Sequence, residues 1–434
     1  MVYCIIGNMT GNSMDAIDLV LTEFAGDKMT DICSFSHPYS KQMQNDMEKL
    51  RLAVKNKTKA EILKLPEFKH IHDEYIVGVA TAINDMCKQN NIDKNTIDAI
   101  GFHGKTLDHN PPSKARTENT LPYTLQLGSG KMLADLTGIK VVYDFRSAPL
   151  MAGFDGAPLV PPHNAHIAET EGDGCYYNGG NTSNFAWIVK GKVQIGADAG
   201  PFNEYIDNFI RDNTADSFDV DGKYGKTGKL NTELLQEFFD ICRDYYERSL
   251  PKSGDPQFYH KNKIFAAIES AKLPLADAVY TLEYFAAYVA FQALTLTPPN
   301  IELPPHFILF GGGWKNPVVY KSFADLLLGM GFVLPEHQKS FKVFRERFTA
   351  EPTIKYSAFG EMMEARLFAD LARYKLENKV WEIPEIVQSG QKIVCGIVAE
   401  PQKQPRVYDD MINLAAKGWQ KTSQITHKKG LSHA

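Results

Sequence analysis

The stretch Gly196–Asp207 constrains the fold most, because an acidic residue there lies between an apolar run and a helical pattern. The run Val193–Ile195 predicts a strand that leads into this stretch. Four apolar residues follow at the spacing of one helix face: Tyr205, Ile206, Phe209 and Ile210. Glycine lets a backbone approach an anion closely, and the amides of a helix N-terminus attract one. Asp198 is therefore either the general base of a phosphotransferase or a cap of the following helix, and this stretch alone favours the cap.

Strand and helix patterns occur in two similar series, which predicts an α/β fold with two similar halves. The predicted strands are Val2–Ile6 with a returning partner, Ile97–Phe102, Lys140–Tyr143, Tyr176, Phe185–Val189, Val193–Ile195 and Phe307–Phe310. The predicted helices are Met43–Leu63, Glu67–Gln89, Lys131–Thr137, Glu204–Arg211, Thr232–Tyr245, Leu275–Leu294, Val318–Leu328 and Gly360–Tyr374. Three segments are predicted to be irregular: Asn110–Pro122, Met151–Pro162 and the polar tail Gln402–Ala434.

Composition excludes several classes of protein. With 434 residues, 44% of them hydrophobic, the chain should form about two globular domains. The net charge of -5 gives no reason to expect nucleic acid or a membrane surface as a partner. The six cysteines are scattered without a CxxC pair, which favours free thiols in a reducing cytosol. Neither a signal peptide nor a membrane span is indicated, so we expect a cytoplasmic protein.

Further polar or glycine-rich segments lie next to predicted strands. The turn Gly11–Asp15 could cradle a phosphate, although it lacks the GK[ST] ending of a Walker A loop, and an ordinary hairpin turn is the alternative. The glycines Gly311–Gly313 suit the close approach of a nucleotide or form a flexible turn. His103–Thr106 and Asp144–Arg146 suit polar ligands, but a structural histidine and a local ion pair explain them equally well. The loop Asn178–Asn184 is by itself a plain hairpin loop, and FDVDGKYGKTG lacks the ligands of a calcium site.

The order of these segments resembles that of the actin-like ATPase and sugar kinase superfamily, and within it the anhydro-N-acetylmuramic acid kinases. The similarity runs from Gly7 to about Pro401. GNMTGNSMDAID is similar to the family's GxMSGTSxDGxD, GFHGKT to GSHGQT, and GADAGPFNEYID to GFDxGPGNxxxD. The longest match is VVYDFRSAPLMAGFDGAPLVP, which resembles VVxDFRxxDxAAGGQGAPLVP. TLQLG, NGGNTSN, FDVDGKYGKTGKLN, LPKSGDPQF, FGGGWKN and Glu364-Ala365 follow in the family's order.

The resemblance implies two actin-like (ribonuclease H-like) domains with a central cleft between them. On this basis we expect residues 1–168 to form a first domain, with the first phosphate turn and most of the sugar site. Residues 169–365 would form a second domain with the catalytic acid and the nucleotide site. Residues 366–434 would be a returning helix and a C-terminal extension.

The resemblance also implies the reaction and the residues that carry it. Asp198 would deprotonate a water that opens the anhydro bridge of anhydro-N-acetylmuramic acid, and the freed oxygen would take a phosphoryl group from ATP with Mg²⁺. The expected ATP-binding residues are Gly11, Asn12, Ser13, Met14, Asp15, Ala16, Ile17, Asp18, Gly179, Gly180, Gly311, Gly312, Gly313 and Asn316. The expected sugar-binding residues are His103, Gly104, Lys105, Thr106, Gln126, Arg146, Asn203 and Glu364. Asp15 is also expected to hold the metal through a water.

Several residues depart from the family's pattern at the expected site. Asn12 replaces Thr, Lys105 replaces Gln, Pro149 replaces Asp and Phe202 replaces Gly. We expect the bulky Phe202 to narrow the sugar site. Two alternatives therefore stay open: a kinase for another anhydrosugar such as levoglucosan, and a divergent member that binds nucleotide or sugar with little activity. Family members are often dimers, but no segment of this sequence indicates an interface.

Overall fold

The chain divides into two compact units that differ in their boundaries from the expected domains. The structure is a computed structural model that describes residues 1–11, 16–55, 57–112, 121–252, 254, 259–384, 386 and 389–402. The first unit contains Met1–Ala157 and Glu364–Ala434, and the second contains Pro158–Met363. Two mixed sheets, a two-stranded sheet and helices make up the described parts of these units, which confirms the predicted α/β class.

The strands and helices are numbered in chain order. The strands are β1 (Val2–Met9), β2 (Ala16–Ala25), β3 (Lys28–Pro38), β4 (Ala99–Phe102), β5 (Lys105–Asn110), β6 (Tyr123–Leu127), β7 (Val141–Tyr143), β8 (Gly174–Gly179), β9 (Thr182–Val189), β10 (Lys192–Pro201), β11 (His306–Phe310), β12 (Thr353–Tyr356) and β13 (Ile397–Ala399). The helices are α1 (Lys41–Ala53), α2 (Lys59–Ile62), α3 (Pro66–Gln89), α4 (Gly130–Thr137), α5 (Ser147–Met151), α6 (Val160–Glu171), α7 (Asn203–Asn213), α8 (Thr232–Tyr246), α9 (Lys261–Ala271), α10 (Leu275–Thr295), α11 (Pro317–Leu328), α12 (Gln338–Arg345) and α13 (Met363–Leu376). None of the described helices is long and apolar enough to cross a membrane.

The first unit is built on a six-stranded sheet in the order β13-β7-β4-β1-β2-β3. The predicted opening hairpin is confirmed, because β1 pairs antiparallel with β2, and β1 also pairs parallel with β4. Gly7 and Gly101 are partners in that parallel pair. A Cβ atom at either glycine would collide with the backbone carbonyl of Ala365 or Phe368 in α13. The missing side chains therefore let α13 lie directly on the sheet, and this contact sets the position of Glu364.

The second unit is built on a five-stranded sheet in the order β10-β9-β8-β11-β12. β8, β9 and β10 form the antiparallel series that the sequence predicts, and β11 pairs parallel with both β8 and β12. The core is organised around α10, which is buried over nearly its whole length. The predicted inward face of α7 is confirmed, since Tyr205, Ile206, Phe209 and Ile210 are all buried.

The second unit begins before the expected boundary after residue 168, because α6 belongs to this unit and packs on β9 and β10. Pro161 of α6 lies so close to Gly196 of β10 that a Cβ atom there would be 2.7 Å from its ring. Residues 366–434 were expected to contain a returning helix and a C-terminal extension. The described part of that range, including the rest of α13, belongs to the first unit.

The prediction that Met151–Pro162 is irregular is wrong at both ends, where α5 finishes and α6 begins. Pro161 and Pro162 lie in the first turn of α6, where backbone amides have no partner within the helix and proline costs little. The predicted helix Met43–Leu63 is divided into α1 and α2, and Thr58 begins α2 with a capping box to Glu61. The pattern analysis did not identify β3, α9 or α12. The expected tail beyond residue 402 lies outside the described residues.

Candidate functional site

Asp198 lies near the end of β10 at a break in the regular pairing with β9. Asp198 is opposite Asn184 and Gly200 is opposite Ser183, with a register shift between the two pairs. Gly200 adopts a φ of 127°, which side chains rarely allow, and a Cβ atom there would lie 2.8 Å from the ring of Tyr246. An irregularity of this kind turns a side chain away from the direction that regular pairing would give it. The sequence around Asp198 therefore forms a local distortion that positions the carboxylate.

The backbone and side chain of Asp198 are held by the segment that follows α8. The Asp198 amide donates to the carbonyl of Lys252 at 2.9 Å. The Gly254 amide donates to Asp198 Oδ2 at 2.6 Å, and the Tyr245 hydroxyl donates to the Asp198 carbonyl at 3.3 Å. The motif LPKSGDPQF was matched in the sequence without a role, and the part of it described here holds the candidate base.

Asp198 does not cap α7, which removes the alternative that the sequence alone favoured. Phe202 is the N-cap residue, and no side chain caps this helix. The first amides are instead used by the hairpin between β8 and β9. The amide of Phe202 donates to Asn181 O at 2.8 Å, that of Asn203 to Gly180 O at 3.1 Å, and that of Glu204 to Asn181 O at 3.3 Å. These three donors are engaged within the protein, so α7 offers them to the hairpin rather than to an anion.

The glycines of the predicted nucleotide site divide into two groups. Gly179 and Gly313 are closely packed, since Cβ atoms there would lie within 2.8 Å of the Phe202 ring. Gly311 needs glycine for its φ of 93°. Gly312 is different, because a Cβ atom there would meet nothing within 4 Å, and at Gly180 the nearest atom would be 3.5 Å away. Close packing therefore explains the first group, whereas Gly312 faces open space that is available to a ligand and a Cβ atom at Gly180 would make only ordinary van der Waals contacts.

Asn316 shapes the end of the glycine turn through three hydrogen bonds. Its Oδ1 accepts from the amides of Val318 and Val319 and so caps α11. Its Nδ2 donates to Glu283 Oε1 at 2.5 Å. Glu283 is completely buried in α10, and burial together with the neighbouring Asp219 carboxylate raises its pKa to about 9. Glu283 is therefore protonated at neutral pH and orients the Asn316 amide as a neutral acid.

Asp219 and Gly225 complete this arrangement in the segment that was rejected as a calcium site. Asp219 is buried and accepts the amides of Tyr224 and Gly225, both at 2.9 Å. A Cβ atom at Gly225 would collide with the Glu283 carboxyl. Pattern reasoning identified neither Asp219 nor Glu283 as part of the site. A glutamate inside the otherwise apolar run of α10 was the available signal for Glu283.

The expectation that Phe202 narrows the sugar site is wrong. Phe202 is completely buried within the second unit, with its ring centroid 4.7 Å from that of Trp314. The close packing at Gly179 and Gly313 provides the space for this ring. Trp314 is in turn held by a hydrogen bond from its Nε1 to the carbonyl of Tyr177 at 3.0 Å. The bulky residue after Pro201 therefore fills the core.

In the first unit, His103 and Arg146 form a defined pair. The Arg146 Nε–H donates to His103 Nε2 at 3.1 Å, and Arg146 Nη1 donates to the carbonyl of Gly156 at 2.8 Å. His103 Nδ1 lies 2.9 Å from the carbonyl of Gly104 and its ring stacks on Phe368 at 4.4 Å. Burial and the Arg146 guanidinium lower the pKa of His103 well below its usual range. A neutral His103 with its proton on Nδ1 thus orients Arg146.

Lys105 links the first turn to a group of charges. It is buried, and its Nζ donates to the carbonyl of Gly11 at 3.2 Å. Burial lowers the pKa of Lys105 to about 8; Arg51 acts in the same direction, and the carboxylates of Glu364 and Glu48 oppose it. Desolvation and the Asp18 carboxylate raise the pKa of Glu364, although this side chain is accessible to solvent.

The remaining expected residues lie around the β5–β6 hairpin and the start of β2. Gln126 Nε2 donates to Thr124 Oγ1 at 2.7 Å and to Thr106 Oγ1 at 3.4 Å. Gly104 adopts a φ of 77°, and Asp18 Oδ1 accepts from Ser36 Oγ at 2.7 Å. Ala16 and Ile17 begin β2, and Ile17 is buried in the core. The expected residues Asn12, Ser13, Met14 and Asp15 lie outside the described part of the chain.

Known proteins are similar in sequence to this chain over nearly its full length. A model of the anhydro-N-acetylmuramic acid kinase family matches residues 3–398. The chain is 30% identical over 387 residues to the anhydro-N-acetylmuramic acid kinase of Zymomonas mobilis, covering 88% of this chain and 95% of that one. It is 28% identical over 402 residues to the enzyme of the same name from Saccharophagus degradans, covering 91% and 98%. The solved structure of (R)-2-hydroxyglutaryl-CoA dehydratase component A from Acidaminococcus fermentans covers 87% of this chain and 100% of its own, at 11% identity and a TM-score of 0.43. That likeness is too weak to support an argument.

Replacing Glu283 by Gln should stabilise the protein increasingly as the pH rises. The pKa of Glu283 is about 9 in the folded protein, against 4.5 for an ordinary glutamate. Between these values the folded state binds a proton that the unfolded state releases, so the free energy of unfolding falls as pH rises. Glu283→Gln removes this titration and keeps an oxygen for Asn316. Its free energy of unfolding relative to wild type should rise by about 1.4 kcal/mol per pH unit between about pH 6 and about pH 8.

Urea unfolding at several pH values measures this difference. The matched control is Glu269→Gln on α9, where the side chain is exposed. A Glu283→Gln difference that stays constant with pH would contradict a protonated Glu283.

Proposed function

Because the chain belongs to the anhydro-N-acetylmuramic acid kinase family, we propose that it is an ATP-dependent kinase for anhydro-N-acetylmuramic acid. The product would be N-acetylmuramic acid 6-phosphate, formed during the reuse of cell-wall sugar. The observation that carries the proposal is the position of the Asp198 carboxylate and its contacts. Its carboxylate lies at an irregularity in the pairing of β10 with β9 and accepts a hydrogen bond from the Gly254 amide. It does not cap α7. A held carboxylate that is not used by the helix suits a general base.

The proposed reaction couples hydrolytic opening of the anhydro bridge to phosphoryl transfer. Asp198 takes a proton from water, and the water oxygen bonds to the anomeric carbon. The bond from that carbon to the bridging oxygen breaks, and the freed oxygen attacks the γ-phosphorus of ATP while ADP leaves. Positioning and neutralisation of charge carry most of the catalysis of phosphoryl transfer.

For the nucleotide we propose the open side of the glycine turns in the second unit. Space at Gly312 would let phosphate or sugar groups approach the backbone. The Asn316 and Glu283 pair supports the shape of this turn without contributing a negative charge. Mg²⁺ bound to the phosphates would neutralise their charge, and we propose that Asp15 holds it through a water.

For the sugar we propose His103, Lys105, Gln126, Arg146 and Glu364 of the first unit. Arg146 keeps a guanidinium oriented by His103, which suits the carboxylate of the muramic acid lactyl group. Glu364 and Gln126 offer acceptors and donors for hydroxyl and amide groups. Levoglucosan has no carboxylate, so an oriented guanidinium favours the muramic acid derivative.

The argument for another anhydrosugar as substrate depended largely on Phe202. This residue was expected to lie beside the sugar, but its ring is buried in the core. The buried ring of Phe202 lies against Trp314 and leaves no reason for a smaller ligand. Lys105 remains a departure from the family, and its ammonium adds a second cation to the proposed sugar residues. This favours an anionic sugar over levoglucosan.

The purified protein should form ADP with anhydro-N-acetylmuramic acid and should form little with levoglucosan. A coupled ADP assay with each sugar, and with no sugar, measures this. The carboxylate contact predicts a preference in kcat/KM of at least about tenfold, since a charged hydrogen bond contributes about 1.5–3 kcal/mol. Turnover of levoglucosan alone would shift the proposal to another anhydrosugar. Nucleotide binding without turnover of either sugar would identify a binding protein.

Asp198→Asn should lower turnover by about 10²–10⁴-fold, because the amide cannot accept the proton from water. Its affinity for ATP should stay within about tenfold of wild type, since the backbone contacts of residue 198 are kept. Initial rates and calorimetric titration with ATP measure the two effects. The matched control is Asp212→Asn at the exposed end of α7. Wild-type turnover in Asp198→Asn would remove Asp198 as the base.

Gly312→Ala and Gly313→Ala should have opposite effects on binding and stability. The Cβ atom at 312 enters open space, so it should weaken ATP binding by about tenfold without lowering the melting temperature. The Cβ atom at 313 would collide with Asn203 and Phe202, so it should cost about 1–3 kcal/mol of stability. Thermal unfolding and calorimetry with a non-hydrolysable ATP analogue separate the two. Unchanged ATP affinity in Gly312→Ala would contradict the proposed nucleotide position.

A further inference from the structure

The segment that holds Asp198 is itself held in place by one buried lysine. We propose that Lys252 is a positioning residue for Asp198, which it serves by fixing the chain after α8 to the carboxyl end of that helix. This inference rests on the proposed function, because it assigns Lys252 to the support of the same base. Lys252 acts through Gly254, Tyr245 and its own carbonyl, and it is not assigned a contact with substrate.

The side chain of Lys252 is directed back to the helix that precedes it. Only 8% of the residue is exposed. Its Nζ donates to the carbonyl of Tyr245 at 3.1 Å and to that of Tyr246 at 3.0 Å. These are the last carbonyls of α8, which lack partners within the helix and carry the negative end of its dipole. The ammonium also lies 4.7 Å from the centroid of the Tyr245 ring.

The backbone of Lys252 and of the residues just after it reaches Asp198. The carbonyl of Lys252 accepts the Asp198 amide at 2.9 Å, and two residues later the Gly254 amide donates to Asp198 Oδ2 at 2.6 Å. The Tyr245 hydroxyl, from the helix that Lys252 caps, donates to the Asp198 carbonyl at 3.3 Å. Lys252 therefore joins α8 to β10, with its side chain on the helix and its backbone on the strand. Loss of the side-chain contacts frees the segment that orients the carboxylate.

The space between the two segments leaves little room for a different arrangement. A Cβ atom at Gly254 would lie 2.5 Å from the Tyr259 hydroxyl and 3.2 Å from Asp198 Oδ2. The glycine is therefore needed for its amide to approach the carboxylate closely.

The charges around Lys252 agree with this role. Burial lowers the pKa of Lys252 to about 7, Arg248 acts in the same direction, and the Asp198 carboxylate opposes both. A buried ammonium is costly unless carbonyls and an anion compensate it, and both are present here. The aromatic rings of Tyr245 and Tyr246 enclose the remaining side of the ammonium.

Arg248 provides a matched control for the charge. It follows the end of α8, with its guanidinium 5.8 Å from the centroid of the Tyr245 ring. Its Nε donates to the carbonyl of Asp244 at 3.1 Å, within its own stretch of chain. Removing Arg248 therefore removes a nearby positive charge but leaves the connection between α8 and β10.

Lys252→Met should lower kcat for anhydro-N-acetylmuramic acid by about 10²-fold, because displacement of a reacting group by about 1 Å has an effect of this size. The KM values for ATP and for the sugar should change by less than about threefold, since the proposal assigns Lys252 no contact with either ligand. Lys252→Arg keeps a cation for the two carbonyls and should recover most of the loss. Arg248→Met should stay within about twofold of wild type.

Hydrogen exchange of the full-length variants provides a measurement that does not depend on turnover. Amides 196–200, 252 and 254 should exchange at least about tenfold faster in Lys252→Met than in wild type or Arg248→Met. If Lys252→Met does not fold, Lys252→Gln, which keeps one donor, is measured in the same way. Wild-type kcat in the folded Lys252 variant would overturn the inference, and so would unchanged exchange. A wild-type protein that turns over neither anhydrosugar would overturn the proposed function instead, and exchange would then decide the role of Lys252.

Discussion

Close packing against glycines, at positions where a side chain is missing, determines where the candidate residues lie in each unit. In the first unit, Gly7 and Gly101 allow α13 to rest on the central strands, and α13 carries Glu364 and Phe368. Phe368 supports the ring of His103, which in turn orients Arg146. In the second unit, the close approach at Gly179 and Gly313 accommodates Phe202 and sets the course of the glycine turn. A larger residue at such positions would displace a whole element.

Buried ionisable groups support both parts of the candidate site, and each is compensated in a different way. Glu283 is kept neutral by burial, so it can orient Asn316 without placing a negative charge under the proposed nucleotide site. His103 is kept neutral beside a guanidinium. Lys252 is compensated by carbonyls at a helix end and by the Asp198 carboxylate. The residues that touch ligands in the proposal thus depend on others that hold them in place.

Much of the fold could be predicted because long periodic segments depend on local patterns. The buried face of α3, with Ile71, Tyr75 and Met86, and that of α7 are where the apolar spacing places them. α6 was missed because glycine and proline dominate its approach, and the tolerance of proline in a first turn depends on the helix that follows. The position of Phe202 could not be predicted from its place two residues before Glu204. A residue just before a helix can face the core or the surface, and for Phe202 the direction depends on packing partners such as Trp314.

The sequence by itself determined the α/β class, the family and the identity of Asp198 as the candidate base, because ordered motifs and periodicity are properties of the chain alone. Only the tertiary structure decided that Asp198 is free of the α7 cap, since the hairpin carbonyls that occupy those amides come from another segment. It also decided that α6 packs in the second unit, that Lys252 donates to the last carbonyls of α8, and that Glu283 accepts from Asn316. These outcomes depend on contacts between residues far apart in sequence. Burial and hydrogen bonding at such contacts are set by the packed structure, and local sequence patterns do not predict them.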